Sequence, residues 1–447
     1  MSVSHYGDVE IEEKLINTLA KEYWEAKQNS YPERIKQCRN KIVIEFFKCG
    51  SVKEKYLNEI DGFIDSDLVK ILVGIRRCGK SVILNQIIDK LKNKGIKEDH
   101  IIYINFEFIE YEELTDYKKL NKYVKERIID KNKYYLFLDE VQLVDKFETV
   151  VNSLRASIDN ISIFITGSNS KLLSNELSSI LSGRYVLFKV NPLSYSEYIK
   201  LTNKDGLNEN VFWDYAKWGG LPNRCDFNKI DDIKNYLLSV YDSIILRDVV
   251  QRLGIKDISL FNLLLQYIID TMGREFSAQN IINYLKQQKR DISTETLYNY
   301  LEALCNALII RKINRYDIHG KLVLKTLNKY YMTDLGIGTI KHNNPNFDDA
   351  YLLENIVLNE LIYRGYEVYI GKTKKGEVDF YAERFNERIY IQVCATLKDE
   401  KTYEREFSAF NDINDNYPKY ILSLDKKDYS KDGIIHKNII SWLLEKE

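Results

Sequence analysis

The stretch "LVKILVGIRRCGKSVILNQIIDKL", residues 68–91, constrains the fold more than any other part of the chain. Val69 to Val73 reads as a strand buried on both faces, and Val82, Leu84, Ile87, Ile88 and Leu91 recur at helical spacing from about Lys80. Between them, Gly74, Ile75, Arg76, Arg77, Cys78, Gly79, Lys80 and Ser81 have the spacing of a phosphate-binding loop. Backbone N–H groups of such a loop and of the helix N-terminus face an anion. A strand feeding a helix through this loop implies a parallel α/β sheet. Residues 74–82 are the expected nucleotide segment, with Lys80 reaching the β- and γ-phosphates of ATP and Ser81 ligating Mg²⁺.

The complementary half of such a site is an apolar strand ending in acid, and "KYYLFLDEVQ" supplies it. Asp139 is expected to hold Mg²⁺ through water and Glu140 to polarise the attacking water. Two solvated acids at a strand end are the alternative. That alternative leaves unexplained their place after a fully apolar run, about 60 residues beyond the loop. A third strand, "ISIFITGSNS", puts Ser168 and Asn169 beside the γ-phosphate as a sensor, or else caps the next helix with them. After a helix near Lys171 to Leu181, Arg184 precedes another strand. An arginine there reaches a neighbour's γ-phosphate in an oligomeric ATPase, or is a surface arginine. Cys78, inside the loop, is expected to react with alkylating reagents unless nucleotide shields it; a side chain pointing into the core and inert to reagents is the alternative.

Composition limits the remaining classes. The 447 residues carry a formal net charge of −1, so any polyanion site must be a local patch. The six cysteines form no CxxC pair and the five histidines are dispersed, which argues against structural zinc. Free thiols, no signal-peptide pattern and no apolar run of about 18 residues lead to the expectation of a cytoplasmic protein without a membrane segment.

"LVGIRRCGKS", "LFLDEVQ", "FITGSNSKLLS", "LSGRYVLFKVNPLSYSEY", "GGLP" and "LRDVV" occur in this order, and so the chain resembles the AAA-14-type ATPases of bacteria and archaea. The resemblance runs from about residue 50 onward. It implies an AAA+-like core with the loop strand and the acidic strand side by side, and a C-terminal DUF4143 domain. It also aligns Arg184 with the arginine of the family's "SGR". The expected organisation is a helical extension over 1–50, the P-loop core over 51–195 and a helical lid over 196–252. Two further domains are expected over 253–340 and 341–447.

Residues 253–340 read as three helices and a hairpin turning near His319–Gly320, the order of a winged helix. They hold 11 Lys/Arg against 8 Asp/Glu, a balance of +3. The third helix exposes Glu295, Tyr298, Asn299, Glu302 and Asn306, with no cation. The cations lie at Lys286, Lys289 and Arg290 and on the hairpin at Arg311, Lys312, Arg315, Lys321, Lys325 and Lys329. Such a surface grips DNA phosphates better than it reads bases; a protein-binding or interdomain role stays open.

Residues 341–447 read as helix, three strands, helix, strand, which resembles the PD-(D/E)xK nucleases. Matched to that family, Glu354 is the helix acid and Asp379 the central metal ligand. Where the family has Glu-x-Lys, this chain has Gln392 and Cys394. An amide oxygen binds Mg²⁺ poorly beside a carboxylate, and a thiol supplies no cation. Nothing nearby in the sequence replaces the lysine. The expectation is a nuclease-like fold without nuclease activity, attached to an ATP-driven switch that holds DNA non-specifically. A signalling or scaffold ATPase that binds protein and an ATP-regulated nuclease are the alternatives, and a homo-oligomer is compatible with each.

Overall fold

The computed structural model describes residues 53–168, 181, 183–250, 255, 257–341, 349–374 and 376–445. The helices expected over 1–50, Asn169 and nearly all of the helix expected at Lys171 to Leu181 lie outside the described residues. Lys55–Glu447 forms one compact unit, and its described residues carry two sheets.

In the first sheet β1 (Val69–Val73), β2 (Ile101–Asn105), β3 (Tyr134–Asp139), β4 (Ile161–Gly167) and β5 (Tyr185–Lys189) run parallel in the order β2-β3-β4-β1-β5. α1 (Lys80–Asn93) buries Ile83, Leu84, Ile87, Ile88 and Leu91. α2 (Tyr117–Lys125) and α3 (Phe147–Ser157) join the sheet's core through Leu120, Val124, Val150, Val151 and Leu154. The resemblance had implied that the loop strand and the acidic strand lie side by side, but they do not: β4 lies between β1 and β3 and pairs with both. All three are buried along their whole length. Strands apolar on both faces give no local signal of their order. The interposed strand brings Thr166 and Ser168 to the acids.

The region after the core is helical, with α4 (Tyr195–Thr202), α5 (Glu209–Trp218) and α6 (Ile230–Ser243). α5 ends at Gly219, whose φ of 73° is left-handed. A Cβ there would lie 2.3 Å from Asp334 Oδ1, and one on Gly220 would lie 2.3 Å from the Leu193 carbonyl oxygen. "GGLP" is therefore a crossing of chains as well as a turn. The Gly220 N–H donates to Asp334 Oδ2 at 2.8 Å. Burial pushes the Asp334 carboxyl up to about 6 despite these backbone donors.

α7 (Ile258–Asp270), α8 (Ala278–Gln287) and α9 (Thr294–Asn306) lead into the hairpin of β6 (Ile310–Asp317) and β7 (Leu322–Met332). α10 (Leu335–Lys341) and α11 (Asp349–Tyr363) follow, then β8 (Glu367–Lys372), β9 (Glu377–Arg384) and β10 (Glu387–Val393). α12 (Glu400–Ser408), β11 (Lys419–Ser423), β12 (Ile434–Asn438) and α13 (Ile439–Leu444) complete the chain. The hairpin is not a free wing. β6 pairs in parallel with β8 through Arg315 and Ile370, giving one seven-stranded sheet, β12-β11-β10-β9-β8-β6-β7. Among the described residues no helix is long and apolar enough to cross a membrane.

β1 carries an unexpected charge. Lys70 is fully buried (0% exposed), and its ammonium donates to Ser162 Oγ at 2.7 Å and to the Ser66 carbonyl at 3.0 Å. It also lies 4.7 Å from the centre of the Phe164 ring. Among the described residues no carboxylate pairs with it, and burial lowers it from 10.5 to about 7, against the weaker pull of Asp65 and Asp67. Above 10.5 the unfolded lysine is neutral too and the difference vanishes; as pH falls toward 7 the unfolded chain takes a proton that the folded chain resists. At pH 7 this costs the fold up to about 4 kcal/mol, against about 1 kcal/mol for each hydrogen bond it makes. Lys70→Met is expected to raise the melting temperature at pH 7 and to lose that advantage by pH 10. Calorimetry across this range checks it; a difference independent of pH overturns the assignment.

Candidate active site

Gly74 ends β1 against the chain leaving β5: a Cβ on it would lie 2.2 Å from the Val190 carbonyl oxygen and 2.7 Å from Cys78 Sγ. The loop then turns through left-handed residues, Arg77 at φ 65° and Gly79 at φ 105°, and enters α1 at Lys80. Cys78 is wholly buried (0% exposed), with its thiol 3.4 Å from the Val190 carbonyl. The expected reactive thiol is thus a packing group beneath the loop. Ile75 is buried beside it, while Arg77 is exposed and Ser81 and Val82 are half-buried. Arg76 reaches sideways to Glu107 at 2.9 Å.

The Lys80 ammonium folds back over the loop, donating to the carbonyls of Gly74 at 3.0 Å and Ile75 at 3.3 Å. It also lies 3.5 Å from Glu140 Oε1. Burial alone would depress it, but Glu140, with Cys78 and Asp139, holds it above the ordinary lysine value. Asp139 is fully buried. It accepts hydrogen bonds from Thr166 Oγ1, from Tyr103 at 2.9 Å and from Asn105 at 3.1 Å, and the Ser81 hydroxyl also bonds to it. The two expected Mg²⁺ ligands are thereby side by side, and their hard oxygens suit that ion.

Glu140 occupies the left-handed region at φ 58°, a conformation that costs a non-glycine residue on the order of 1 kcal/mol and needs support. Its N–H donates to Thr166 Oγ1 at 3.0 Å. Its Oε2 accepts from Gln142 Nε2 at 2.5 Å and from Ser168 Oγ at 3.1 Å. Burial raises its carboxyl, but Lys80, Gln142, Arg76 and Ser168 together bring it below the usual value. Glu140 is therefore ionised and aimed at the loop, as a base must be.

The sequence missed Tyr103, Asn105, Gln142 and Thr166. Gln142 had a signal, the polar residue that closes "LFLDEVQ"; the others are single polar residues on apolar strands. Arg184 does not join the site within its own chain. It is exposed, and its carbonyl accepts from the Val69 N–H at the start of β1. The loop leaves the other end of that strand, roughly 16 Å away at 3.3 Å per residue.

The second set of expected residues also gathers. Asp379 accepts from the Val393 N–H at 2.8 Å, and its own N–H donates to Gln392 Oε1 at 2.6 Å. Gln392 Nε2 donates to Glu406 Oε2 at 2.6 Å, so a glutamate at 392 would set two carboxylates against each other. Cys394 is buried in an apolar cluster with Val378, Tyr381, Tyr390 and Ile421. Burial pushes its thiol up. Glu354 is buried (7% exposed) and accepts from Tyr331.

The sheet order, the loop and the acids define an AAA-type P-loop protein, and residues 66–199 match the family described as AAA domain. The chain belongs to the family of a Haemophilus influenzae protein that is 36% identical over 399 residues, 88% of this chain and 98% of that one. The Methanocaldococcus jannaschii protein MJ1544 is 35% identical over 378 residues, 80% of this chain and 81% of its own. Both carry the name uncharacterized protein. Residues 209–346 match DUF8612, a domain of unknown function. This corrects the expected DUF4143, and the match runs from α5 through α10 rather than over the strands after it. Among solved structures, the Aeropyrum pernix ORC1 protein in complex with DNA aligns at TM-score 0.32 and 11% identity, over 66% of this chain and 92% of that one.

Lys80→Ala is expected to abolish nucleotide binding, whereas Glu140→Gln should bind ATP normally and turn it over at least about 100-fold more slowly. Calorimetric titration and single-turnover rates separate the two; unchanged ATP affinity in Lys80→Ala refutes the assignment. Gln142→Ala removes a bond to a charged group worth about 2 kcal/mol. It should lower kcat by up to about 30-fold without weakening nucleotide binding, and an unchanged kcat would show that Gln142 does not position Glu140.

Proposed function

We propose that this protein is an ATP-driven conformational switch whose C-terminal modules contact DNA without reading its sequence. The convergence of Lys80, Ser81, Asp139 and Glu140 at one end of the sheet is the observation that carries the ATPase half. Residues 74–82 would cradle the phosphates of ATP, and Ser81 and Asp139 would hold Mg²⁺, which offsets charge on the phosphoryl oxygens. Glu140 would take the proton of the attacking water. Before nucleotide arrives Lys80 and Glu140 neutralise each other at 3.5 Å. A γ-phosphate would draw Lys80 away, leaving Glu140 free to act on water. Nucleotide binding and base activation thus become one event. Arg184, exposed at the far edge of the sheet, would serve a second copy in a homo-oligomer.

The segment after β5 supports transmission of that event. The Val190 N–H donates to the Val73 carbonyl at 2.7 Å directly before the loop. Asn191 accepts from Arg311 of β6 at 2.6 Å, and the Leu193 N–H donates to Gly220 at 2.7 Å. Gly220 in turn holds Asp334 just past β7. A shift of the loop backbone therefore meets the lid and the second sheet within a few residues.

For DNA the support is Lys286, Lys289, Arg290, Lys312 and Lys321, all exposed on the helices and hairpin. Arg315 and Lys329 are lost to this surface because both are buried in ion pairs. This favours, as a second reading, a protein partner for the same modules. The ATPase rate with and without duplex DNA, over a salt series, tests the choice. About five phosphate contacts would give stimulation that falls with a log–log salt slope of roughly −4. ATPase activity indifferent to DNA at 50 mM salt, about where phosphate contacts should dominate, would retire the DNA reading in favour of the protein one.

A further inference from the structure

Carboxylates from two elements and one connecting segment meet where the β6–β7 hairpin joins the second sheet. They are Glu354 on α11, Glu377 and Asp379 on β9, and Glu275 ahead of α8. Lys329, on β7, is 5% exposed. Its ammonium lies 2.8 Å from Glu377 Oε1 and 3.5 Å from Glu354 Oε1. Arg315, on β6, donates to Glu377 Oε2 at 2.6 Å and pairs also with Glu275. Tyr331, two residues along β7, donates to Glu354. The lysine that the sequence reading found missing beside Asp379 is thus supplied from a hairpin about 50 residues earlier.

We propose that Lys329 is the resident cation of this acid cluster, standing where a divalent metal would otherwise have to sit, so that the second sheet carries a metal-free centre without hydrolytic activity. Carboxylates withdrawn from water need a cation in contact with them. Here the ammonium meets that need directly, shared between two acids. Mg²⁺ or Mn²⁺ would need several carboxylate oxygens turned toward one point. Among the described residues no three His, Cys, Asp or Glu side chains are disposed to hold a metal. Glu354 and Glu377 face the lysine instead, Asp379 is turned to the Val393 N–H and Glu275 to Arg315.

The rest of the cluster is closed in the same manner. Gln392 uses both ends of its amide, on the Asp379 N–H and on Glu406, and Glu406 is also paired with Arg405. Position 394 is sealed in apolar packing. The two departures from the nuclease pattern are therefore integrated into the fold, and the cation has moved to β7.

The proposal does not rest on the ATP reading, and its test is made without nucleotide. Mn²⁺ is titrated into the full chain and followed by electron paramagnetic resonance. Wild type and Asp379→Asn are expected to bind the same amount, because the cluster takes none. Lys329→Ala is expected to gain one bound Mn²⁺ per chain, which Asp379→Asn then removes in the double variant. A wild-type Mn²⁺ site that Asp379→Asn abolishes would overturn the proposal, as would Mn²⁺-dependent DNA cleavage by wild type that Asp379→Asn removes. So would a folded Lys329→Ala that gains no site. Should Lys329→Ala fail to fold, the wild-type comparison decides alone, and Lys329→Arg is expected to fold and remain metal-free.

Discussion

The contact between Lys80 and Glu140 is the interaction on which the nucleotide site depends. Each group is buried, at 4% and 7% exposure, and neither would keep its charge there alone. Together they do, and the geometry around them follows. Lys80 is tethered to the loop carbonyls, and Glu140 is held in a left-handed conformation by Thr166, Gln142 and Ser168. The pair keeps a carboxylate ionised beside a buried lysine; on the proposed reading that carboxylate is the base and phosphate would draw the lysine away. A site of this kind does not need to create charge when substrate arrives; it only needs to redistribute it.

Two close crossings tie this site to the rest of the unit, and both require glycine. At Gly74 the loop passes directly over Val190, and at Gly219 and Gly220 the end of α5 passes over Asp334 and Leu193. A side chain at any of the three would force backbone apart, because the obstructing atoms include carbonyls or a buried carboxylate. The short run from Val190 to Leu193 connects the two crossings and touches β6 through Arg311. Rigid, glycine-dependent contacts transmit displacement better than mobile side chains, since packed backbone has few ways to absorb it.

Much of this was legible in the residues themselves. β1, the loop and α1 were readable because an apolar run, a Gly/Lys/Ser spacing and a helical period coincide within 24 residues. Asp139 and Glu140 were readable because acids at the end of a fully apolar strand have few other uses. The second sheet was readable as a helix–strand succession, but its edge was not. β6 reads as the start of a hairpin, and pairing with β8 some 50 residues later leaves no trace in local periodicity.

What the sequence determined alone was the phosphate loop, the acids that face it and the alternation that builds each sheet, because these depend on neighbours along the chain. Tertiary structure alone decided that β4 separates the two halves of the nucleotide site, so that Thr166 and Ser168 support the acids. It also turned "GGLP" into a crossing with Asp334, buried Cys78, and carried Lys329 from an apparent DNA-facing hairpin into a cluster of acids. The physical reason is common to all four. The energy of a buried charge or a close backbone approach is set by what lies across the gap, and those partners lie between about 25 and 115 residues away in the chain.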